Sequence, residues 1–350
     1  MFFFRADGNP AIGAGHVMRC LSIAGAANEP CMFVTADSFF YDMIVSKGHQ
    51  VSVMHTDYRR MEQELSQLLA LIRKQQPSVL FVDSYYVTSF YLSALQKACE
   101  HISCALVYID DVLSFPYPCN ILLNYNIYGP DKKQTYENMY RTADIRPPRL
   151  LLGPSYAPLR SEFQNLPERI VNPEARHILI STGGSDPEHI ARDLAAYIAD
   201  HSDCLEQLVF HFIIGAMNED QELIRQLAAS SPNIILHVNV NNMGELMRRS
   251  DLAVSAAGST LYELCATQTP TITYVLADNQ LPGAEGFERH GILRCVGDVR
   301  KLGNRLPERL IDEALLLAKC YDERAEIAHR QRAVVDGNGA EHVVAALQRP

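Results

Sequence analysis

Short apolar runs alternate with longer stretches of helical periodicity along the whole chain. The short runs are rich in β-branched and aromatic residues, which is typical of strands buried in a parallel sheet. Alternation of such strands with helices predicts repeated βαβ units and therefore parallel sheets covered by helices. The predicted strands are Phe2–Ala6, Cys31–Thr35, Gln50–Met54, Ser78–Asp83, Ala105–Ile109, Ile121–Asn124, His177–Ser181, Leu208–Ile214, Ile234–Val238, Leu252–Ser255, Thr271–Val275 and Leu293–Val296.

The stretches between these strands repeat apolar residues every three or four positions, as one face of a helix does. Met61, Leu65, Leu68 and Ile72 show this spacing within one such stretch. A first helix is expected to open at His16. The other predicted helices are Tyr58–Gln75, Ser89–Glu100, Pro187–Asp200, Glu219–Ala229, Met243–Arg249, Thr260–Thr267, Leu306–Arg332 and Gly339–Gln348.

The alternation is interrupted from Ile145 to Pro173, where prolines are frequent. Proline-rich segments with little periodicity are typical of domain boundaries. We therefore predict an amino-terminal Rossmann-like domain over residues 1–155, a linker over 156–172 and a carboxyl-terminal Rossmann-like domain over 173–350. Two such domains in tandem predict a cleft between the carboxyl ends of their strands, where ligands of open α/β sheets bind.

Composition narrows the class of protein. The net charge of −10 over 350 residues argues against binding of nucleic acid or an anionic membrane. Nine cysteines without any C-x-x-C pair make a zinc ribbon or a redox motif improbable, and apolar surroundings predict buried thiols in a reducing cytoplasm. No apolar run approaches the roughly 20 residues that span a bilayer. No cluster has metal-ligand spacing, so neither a metal nor a cofactor is expected.

The first strand-to-helix junction is the strongest candidate for chemistry. A turn is expected at residues 7–10, followed by the glycine hinge Gly13-Ala14-Gly15 and then His16. A helix start offers unpaired N–H groups to a phosphate or a sugar. Its dipole disfavours the protonated imidazole, so His16 is a candidate general base. The alternative is an ordinary first-turn histidine with no function.

Two further glycine-rich junctions lie in the second domain, at 180–187 and 256–260. Each follows a strand and opens a helix, so together they predict a diphosphate site, although such turns also occur for structural reasons alone. Glu263 follows Thr260 at the spacing of a capping box, and the alternative is a carboxylate that binds a ribose. The chain has no Walker lysine motif, and Gly13 does not open a G-x-G-x-x-G pattern, which argues against an NTPase or an NAD enzyme.

Polar residues also follow three strands of the first domain, at Asp83-Ser84-Tyr85, Asp110-Asp111 and Asn124-Tyr125. Adjacent carboxylates cannot both point the same way from a strand. One of the two aspartates is therefore expected to orient a neighbour or cap a helix while the other faces a substrate. The alternative for this pair is an exposed turn.

Taken together, these segments resemble the nucleotide-sugar hydrolases of pseudaminic acid biosynthesis and the wider glycosyltransferase-B-like group, which includes the lipid-II-forming transferases of peptidoglycan synthesis. The similar segments occur in the family's order and span most of the chain. They are Phe4–Ala24, Val82–Val87, Ile109–Asp111, Leu122–Asn124, Tyr156–Phe163, Ser181–Pro187, Ala256–Ile272 and Ala277–Gln280.

The resemblance implies two tandem Rossmann-like domains facing across a cleft and a role for each matching residue. His16 would be catalytic, and Tyr85 and Asn124 would shape the sugar side. Asn279 and Gln280 would approach the sugar or phosphate. The other implied substrate-binding residues are Arg5, Asp7, Gly15, Arg19, Asp83, Asp111 and Tyr156. The implied UDP-binding residues are Gly183, Gly184, Ser185, Asp186, Val240, Gly258, Ser259, Thr260 and Glu263.

The implied reaction is hydrolysis of a UDP-2,4-diacetamido-2,4,6-trideoxy hexose of the altropyranose type by attack of water at the anomeric carbon. No metal would be required if loop N–H groups stabilise the departing diphosphate. The product would supply a nonulosonic acid for flagellin or surface polysaccharides. Three alternatives remain: a glycosyltransferase of the same architecture, a UDP-sugar 2-epimerase, and a non-catalytic nucleotide-sugar binding protein.

Overall fold

The computed structural model describes residues 1–143, 145–184, 186–215, 217–240 and 242–348. The chain forms two compact units. The first unit comprises Met1–Ser161 together with a carboxyl-terminal segment that begins at Asn338, and the second comprises Glu162–Gly337. This division differs from the predicted one, which assigned the whole carboxyl-terminal segment to the second domain and placed a separate linker at 156–172.

The first unit is built on a seven-stranded sheet whose paired strands are all parallel. Its strand order is β3-β2-β1-β4-β5-β6-β7. The order reverses between β1 and β4, and ligands of open α/β sheets bind at such a switch point. The strands are β1 Phe2–Ala6, β2 Met32–Thr35, β3 Gln50–Val53, β4 Val79–Asp83, β5 Ala105–Ile109, β6 Ile121–Asn124 and β7 Arg149–Leu152.

The second unit repeats this plan with a six-stranded parallel sheet in the order β10-β9-β8-β11-β12-β13. Its switch point lies between β8 and β11. The strands are β8 His177–Ser181, β9 Val209–Ile214, β10 Ile234–Val238, β11 Leu252–Ala256, β12 Thr271–Val275 and β13 Arg294–Asp298. The prediction of two Rossmann-like halves is confirmed.

Helices connect these strands. They are α1 Gly15–Ala26, α2 Tyr41–Ser46, α3 Leu65–Gln75, α4 Ser89–Glu100, α5 Lys133–Thr142, α6 Ile190–Asp200, α7 Gln221–Ser230, α8 Met243–Arg249, α9 Thr260–Ala266, α10 Leu281–Arg289, α11 Val299–Leu302, α12 Leu306–Lys319, α13 Tyr321–Val334 and α14 Gly339–Leu347. The predicted helix at 306–332 is in fact two, because the chain leaves helical geometry at Cys320. Within the described residues, no helix is both long and apolar enough to cross a bilayer.

The sheet of the first unit buries a different set of residues on each face. On the face toward α1, Phe4 of β1 stacks on Phe33 of β2 and on Phe81 of β4, at ring-centroid distances of 5.0 and 4.7 Å. Residues two positions further along a strand share that face. Ala6 and its register partner Asp83 therefore project toward α1 as well.

The last helix, α14, packs against α1 within the first unit. Gly339 permits a close approach of α14 to the segment after β7, because a Cβ there would lie only 2.1 Å from the Ala157 carbonyl oxygen. The Nδ1 atom of His342 lies 2.8 Å from the carbonyl oxygen of Ser155, which ties the same helix to the turn after β7. The end of the chain therefore supports the helix that carries His16.

Candidate functional site

The loop between β1 and α1 is closed by Asn9. Its side-chain oxygen accepts hydrogen bonds from the N–H groups of Ala11 and Ile12, at 3.0 and 3.2 Å. Its carbonyl accepts from the N–H of Gly13 at 2.8 Å, and Gly13 has a φ of +75°, which glycine adopts at little cost. The turn therefore spans Asn9 to Gly13, later than the predicted 7–10, and delivers His16 to the switch point.

His16 is held by Asp83 at the end of β4. The His16 Nδ1 lies 2.6 Å from Asp83 Oδ1. The imidazole and the ring of Tyr85 form a T-shaped contact at a centroid distance of 4.6 Å. His16 is 7% exposed, and its Nε2 makes no hydrogen bond to any described residue. One imidazole nitrogen is thus fixed and the other is available to a ligand.

Arg19 lies one helical turn after His16 on the same face of α1. Its Nε donates to Asp83 Oδ2 at 2.5 Å. Its Nη1 donates to Asp111 Oδ2 and to the Tyr125 hydroxyl, both at 2.8 Å. Arg19 therefore joins α1 to the ends of β4, β5 and β6. We call His16, Arg19, Asp83, Tyr85, Asp111 and Tyr125 the His16 cluster.

The charges of this cluster are mutually stabilised. Burial alone would raise the pKa of the Asp83 carboxyl, but the Arg19 guanidinium and the His16 imidazole hold that pKa well below its usual range. Burial raises the pKa of Tyr125 to about 12, in spite of the nearby Arg19. Asp83 is therefore ionised and Tyr125 is a neutral hydroxyl near neutral pH.

The side chains of the adjacent Asp110 and Asp111 make different contacts. Asp110 is fully buried, and its carboxylate accepts from the hydroxyls of Tyr117 and Tyr136 at 2.9 and 2.5 Å and from the N–H of Val112 at 2.8 Å. Asp111 instead turns toward Arg19, and its side chain is 15% exposed. Asp110 shapes the loop, and Asp111 belongs to the His16 cluster.

Asn124 does not reach the surface. It is 1% exposed; its amide donates to the Tyr136 hydroxyl at 3.0 Å, and its oxygen accepts from the N–H of Asn126 at 3.1 Å. Asn126, which the sequence analysis missed, donates to Asp111 Oδ1 at 2.9 Å. The predicted sugar contact of Asn124 is therefore corrected to a buried structural role, because its polar atoms are used within the fold.

The predicted substrate contacts of Arg5 and Asp7 are likewise corrected to buried structural roles. Arg5 has no exposed surface and lies on the sheet face opposite α1. Its Nη1 donates to Asp7 Oδ2 at 2.6 Å, its Nη2 donates to Glu64 Oε2 at 2.8 Å, and its Nε also contacts Glu64. The other carboxylate oxygen of Asp7, Oδ1, accepts a hydrogen bond from the N–H of Ala36 at 2.7 Å. These contacts among Arg5, Asp7 and Glu64 leave neither the Arg5 nor the Asp7 side chain free for a substrate.

The remaining predicted residues of the first unit lie outside the His16 cluster. Gly15 is the first residue of α1 and is exposed, with open space where a Cβ would be. Tyr156 is half-buried in the turn after β7 and makes no hydrogen bond with the cluster.

In the second unit, the loop after β8 brings two backbone segments together. Gly183 has a φ of +97° and open space around it. A Cβ on Gly215 would lie 2.2 Å from the Gly184 carbonyl oxygen, so a side chain at 215 would displace this loop. Ser185 lies outside the described residues.

Asp186 has a different role from the predicted one. Its carboxylate accepts from the N–H groups of Ile190 and Ala191 at 3.1 and 2.8 Å, so it caps α6. Burial raises the pKa of this carboxyl, with the backbone N–H groups opposing the shift. Because Asp186 already occupies the start of α6, that helix end is not open to a diphosphate.

The loop after β11 leaves its helix end uncapped by a side chain. Ser259 is the N-cap residue of α9, is exposed, and makes no side-chain capping bond. Thr260 is the first helical residue, so Glu263 is the fourth. A capping box needs the acidic residue at the third position. Glu263 therefore does not stand at the capping-box position, and it lies half-buried one turn from the exposed end of α9.

The remaining predicted residues of the second unit lie on other loops. Gln280 accepts from the N–H of Leu276 at 2.8 Å, which ties its side chain to the end of β12. Asn279 precedes it in the same turn and is exposed. Val240 is half-buried after β10. Within the part of the chain that the structure describes, no group of acidic, histidine or cysteine side chains has the arrangement of a metal site.

Comparison with known proteins agrees with the fold. Residues 178–336 match the glycosyltransferase family 28 C-terminal domain. The solved glycotransferase of kitacinnamycin superposes with a TM-score of 0.66 at 13% identity, over 99% of this chain and 98% of that one. Both findings agree with a glycosyltransferase-B-like fold.

Two curated relatives cover most of the chain. The spore coat polysaccharide biosynthesis protein SpsG of Bacillus subtilis is 24% identical over 98% of this chain and 96% of its own length. The UDP-2,4-diacetamido-2,4,6-trideoxy-beta-L-altropyranose hydrolase of Campylobacter jejuni is 24% identical over 74% of this chain and 86% of its own length. The chain is thus related to enzymes that act on nucleotide sugars.

Proposed function

We propose that this protein is a hydrolase that releases UDP from a UDP-2,4-diacetamido-2,4,6-trideoxy hexose of the altropyranose type. The observation that carries this proposal is His16, whose Nδ1 is fixed by the ionised Asp83 while Nε2 is left unbonded. This arrangement lies at the switch point of the first sheet, where ligands of such sheets bind. The similarity to the hydrolase of Campylobacter jejuni supports the choice of substrate.

In the proposed reaction, water attacks the anomeric carbon while His16 Nε2 accepts its proton. The bond between that carbon and the phosphate oxygen breaks, and UDP leaves with the electron pair. The imidazolium that forms faces the Asp83 carboxylate, which stabilises its charge. Asp83 is 1% exposed and Arg19 donates to it, so both act on the substrate through His16.

We assign UDP to the second unit. Its β11–α9 loop leaves an uncapped helix start at Ser259, which suits the negative charge of a diphosphate. Glu263 is assigned to the ribose hydroxyls, and Gly183 and Gly184 to close approach of the phosphates. With these N–H donors present, the proposed reaction requires no divalent metal.

The proposal includes a place in the cell. The free diacetamido sugar would enter nonulosonic acid synthesis in the cytoplasm, which is the pathway implied by the family that the sequence resembles. A glycosyltransferase is the second candidate function, favoured by the match of residues 178–336 to a glycosyltransferase domain.

Acceptor-free turnover separates the two functions. The protein is incubated with a panel of UDP-sugars in EDTA, and free UDP and free sugar are quantified. A hydrolase releases both in equal amounts without an acceptor. UDP release that requires an added acceptor would identify a transferase, and an absolute requirement for Mg²⁺ would contradict the proposed UDP site.

The role of Glu263 has its own test by calorimetry. Glu263→Gln is expected to weaken UDP binding about tenfold and leave binding of inorganic diphosphate unchanged, because only UDP carries the ribose. A similar loss for both ligands would contradict the ribose assignment.

A further inference from the structure

A cavity of about 280 Å³ lies in the second unit, away from both glycine-rich loops. One wall is the segment 168–171, and the other is one face of α13, formed by Tyr321, Ala325, Ala328 and His329 at helical spacing. The alanines leave the space open. Pockets for drug-sized ligands span roughly 300–1,000 Å³, so this cavity fits a smaller ligand.

The cavity lies near the amino ends of the strands. Gln268, which lines it, falls between the end of α9 and the start of β12. The glycine-rich loops follow the carboxyl ends of β8 and β11, on the opposite edge of the same sheet. A ligand here would therefore occupy a second site, distinct from the proposed UDP site.

The charge beside this cavity is not balanced. Arg169, which lines it, donates only to neutral acceptors: the Thr269 hydroxyl at 3.1 Å, the Met247 carbonyl at 3.4 Å and the Ser250 carbonyl. Its Nε is buried and has no hydrogen-bond partner among the described residues. Burial, together with Arg248 and Arg324, lowers the pKa of Arg169 to about 10 against a partial opposing effect of Asp251.

A second guanidinium, which is fully buried, adds to this excess of positive charge. Arg324 has no exposed surface, and the hydrogen bonds it makes go to backbone carbonyls. The buried Asp251 already accepts from the side chain of Asn172 and from the N–H groups of Arg176 and His177. One buried carboxylate thus accompanies the half-buried Arg169 and the fully buried Arg324, and a buried charge without a partner is costly.

Gln268 adds an unused donor. Its side-chain oxygen accepts from the N–H of Arg169 at 3.0 Å, and this contact fixes which end of the amide is the nitrogen. The Nε2 group is buried and has no hydrogen-bond partner in the described structure. A buried donor that lacks an acceptor destabilises the fold unless a ligand supplies one.

We propose that this cavity binds a small oxyanion, a phosphate or carboxylate group, that supplies the negative charge and the acceptor missing around Arg169 and Gln268. The Glu168 carboxylate on the 168–171 wall opposes such binding, but it is exposed, so solvent screens its charge. The inference concerns a second site and does not depend on the proposed hydrolysis.

Thermal unfolding of the full chain tests this inference. Inorganic phosphate and acetate are titrated separately at constant ionic strength against chloride, in the presence of saturating UDP so that the proposed nucleotide site is filled. The wild type is expected to show a saturable rise in its unfolding midpoint with at least one of the two oxyanions. Which oxyanion acts distinguishes a phosphate from a carboxylate ligand.

Two variants locate the effect. Arg169→Met removes the charge, and Ala325→Leu fills the cavity without touching Arg169, so each is expected to weaken the apparent oxyanion affinity at least tenfold. The matched control is Arg176→Met, which removes an exposed arginine paired with Glu174 in the same unit and should keep the wild-type response. An equal response from all four proteins, or none from the wild type, would overturn the proposal.

Discussion

Replacement of Asp83 by asparagine tests how the His16 cluster works. The carboxylate accepts from His16 Nδ1, which leaves the lone pair on Nε2. In Asp83→Asn, an amide nitrogen facing the imidazole forces the proton onto Nε2, the atom that we propose as the base. The substitution keeps the size of the side chain and removes its charge.

The expected loss follows from the charge that Asp83 supplies. Two unit charges about 4 Å apart at an effective dielectric constant of about 20 interact with about 4 kcal/mol. Arg19 already offsets part of the Asp83 charge. The substitution therefore removes less than this value from the electrostatic stabilisation of the imidazolium that forms during the reaction. At about 1.4 kcal/mol per tenfold, we expect kcat to fall roughly 10²–10³-fold. KM should change little, because Asp83 is too buried to touch a substrate.

Steady-state UDP release measures kcat and KM, and ¹⁵N NMR of the imidazole reports its tautomer independently of activity. Asp57→Asn is the matched control, since it removes an exposed carboxylate from the same unit. A kcat within about threefold of the wild-type value, with the proton still on Nδ1, would refute the positioning role of Asp83.

The difference in stability between the wild type and Asp83→Asn should depend on pH in a defined direction. The pKa of the Asp83 carboxyl is depressed in the folded state. Its contribution to stability is therefore fully present above the unfolded value of 3.8 and is lost as the pH falls through the lower folded value. The difference in unfolding free energy between wild type and Asp83→Asn should be constant from neutral pH to about pH 5 and shrink in stronger acid. A difference that grows on acidification would contradict the depressed pKa.

Three further predictions concern stability and binding. Glu64→Gln removes one of the two carboxylates that pair with the buried Arg5, and Asp7 still balances its charge, so urea unfolding should show a loss of about 1–3 kcal/mol; an unchanged unfolding free energy would contradict the buried contact between Arg5 and Glu64. Gly215→Ala should lower both the unfolding midpoint and the UDP affinity, because its methyl group collides with the loop after β8, whereas Gly258→Ala, with open space at its Cβ, should keep the wild-type unfolding midpoint. Deletion from Asn338 onward removes α14 from α1 and should destabilise the first unit, as measured by hydrogen exchange in β1 and β4; unchanged protection there would contradict the packing.

Hydrophobic periodicity was sufficient to predict the class of fold, because buried parallel strands and amphipathic helices leave strong local patterns. It missed β7, since Arg149–Leu152 is only four residues long and lies in a proline-rich stretch. It also failed to place the last helix in the first unit. That assignment depends on tertiary contacts, such as the close approach of Gly339 to Ala157, that have no local signal.

Within the His16 cluster, the sequence predicted His16, Asp83, Tyr85 and Asp111 through their positions at strand ends and at the first helix start, and Arg19 only through the family resemblance. It could not distinguish these residues from Arg5 and Asn124, which also lie on or beside strands. The residues of the His16 cluster differ from Arg5 and Asn124 in the face of the sheet on which the side chain lies. Asn126 carried a weak signal as a polar residue two positions after Asn124.

The central claim is that His16 activates water for the release of UDP. The most direct measurement is single-turnover hydrolysis of UDP-2,4-diacetamido-2,4,6-trideoxy-β-L-altropyranose, without acceptor and in EDTA, by the wild type and by His16→Asn. We predict equal amounts of UDP and free sugar from the wild type, and a rate roughly 10²–10⁴-fold lower in the variant with UDP affinity unchanged. Near-native hydrolysis by His16→Asn, or no release of UDP by the wild type, would contradict the claim.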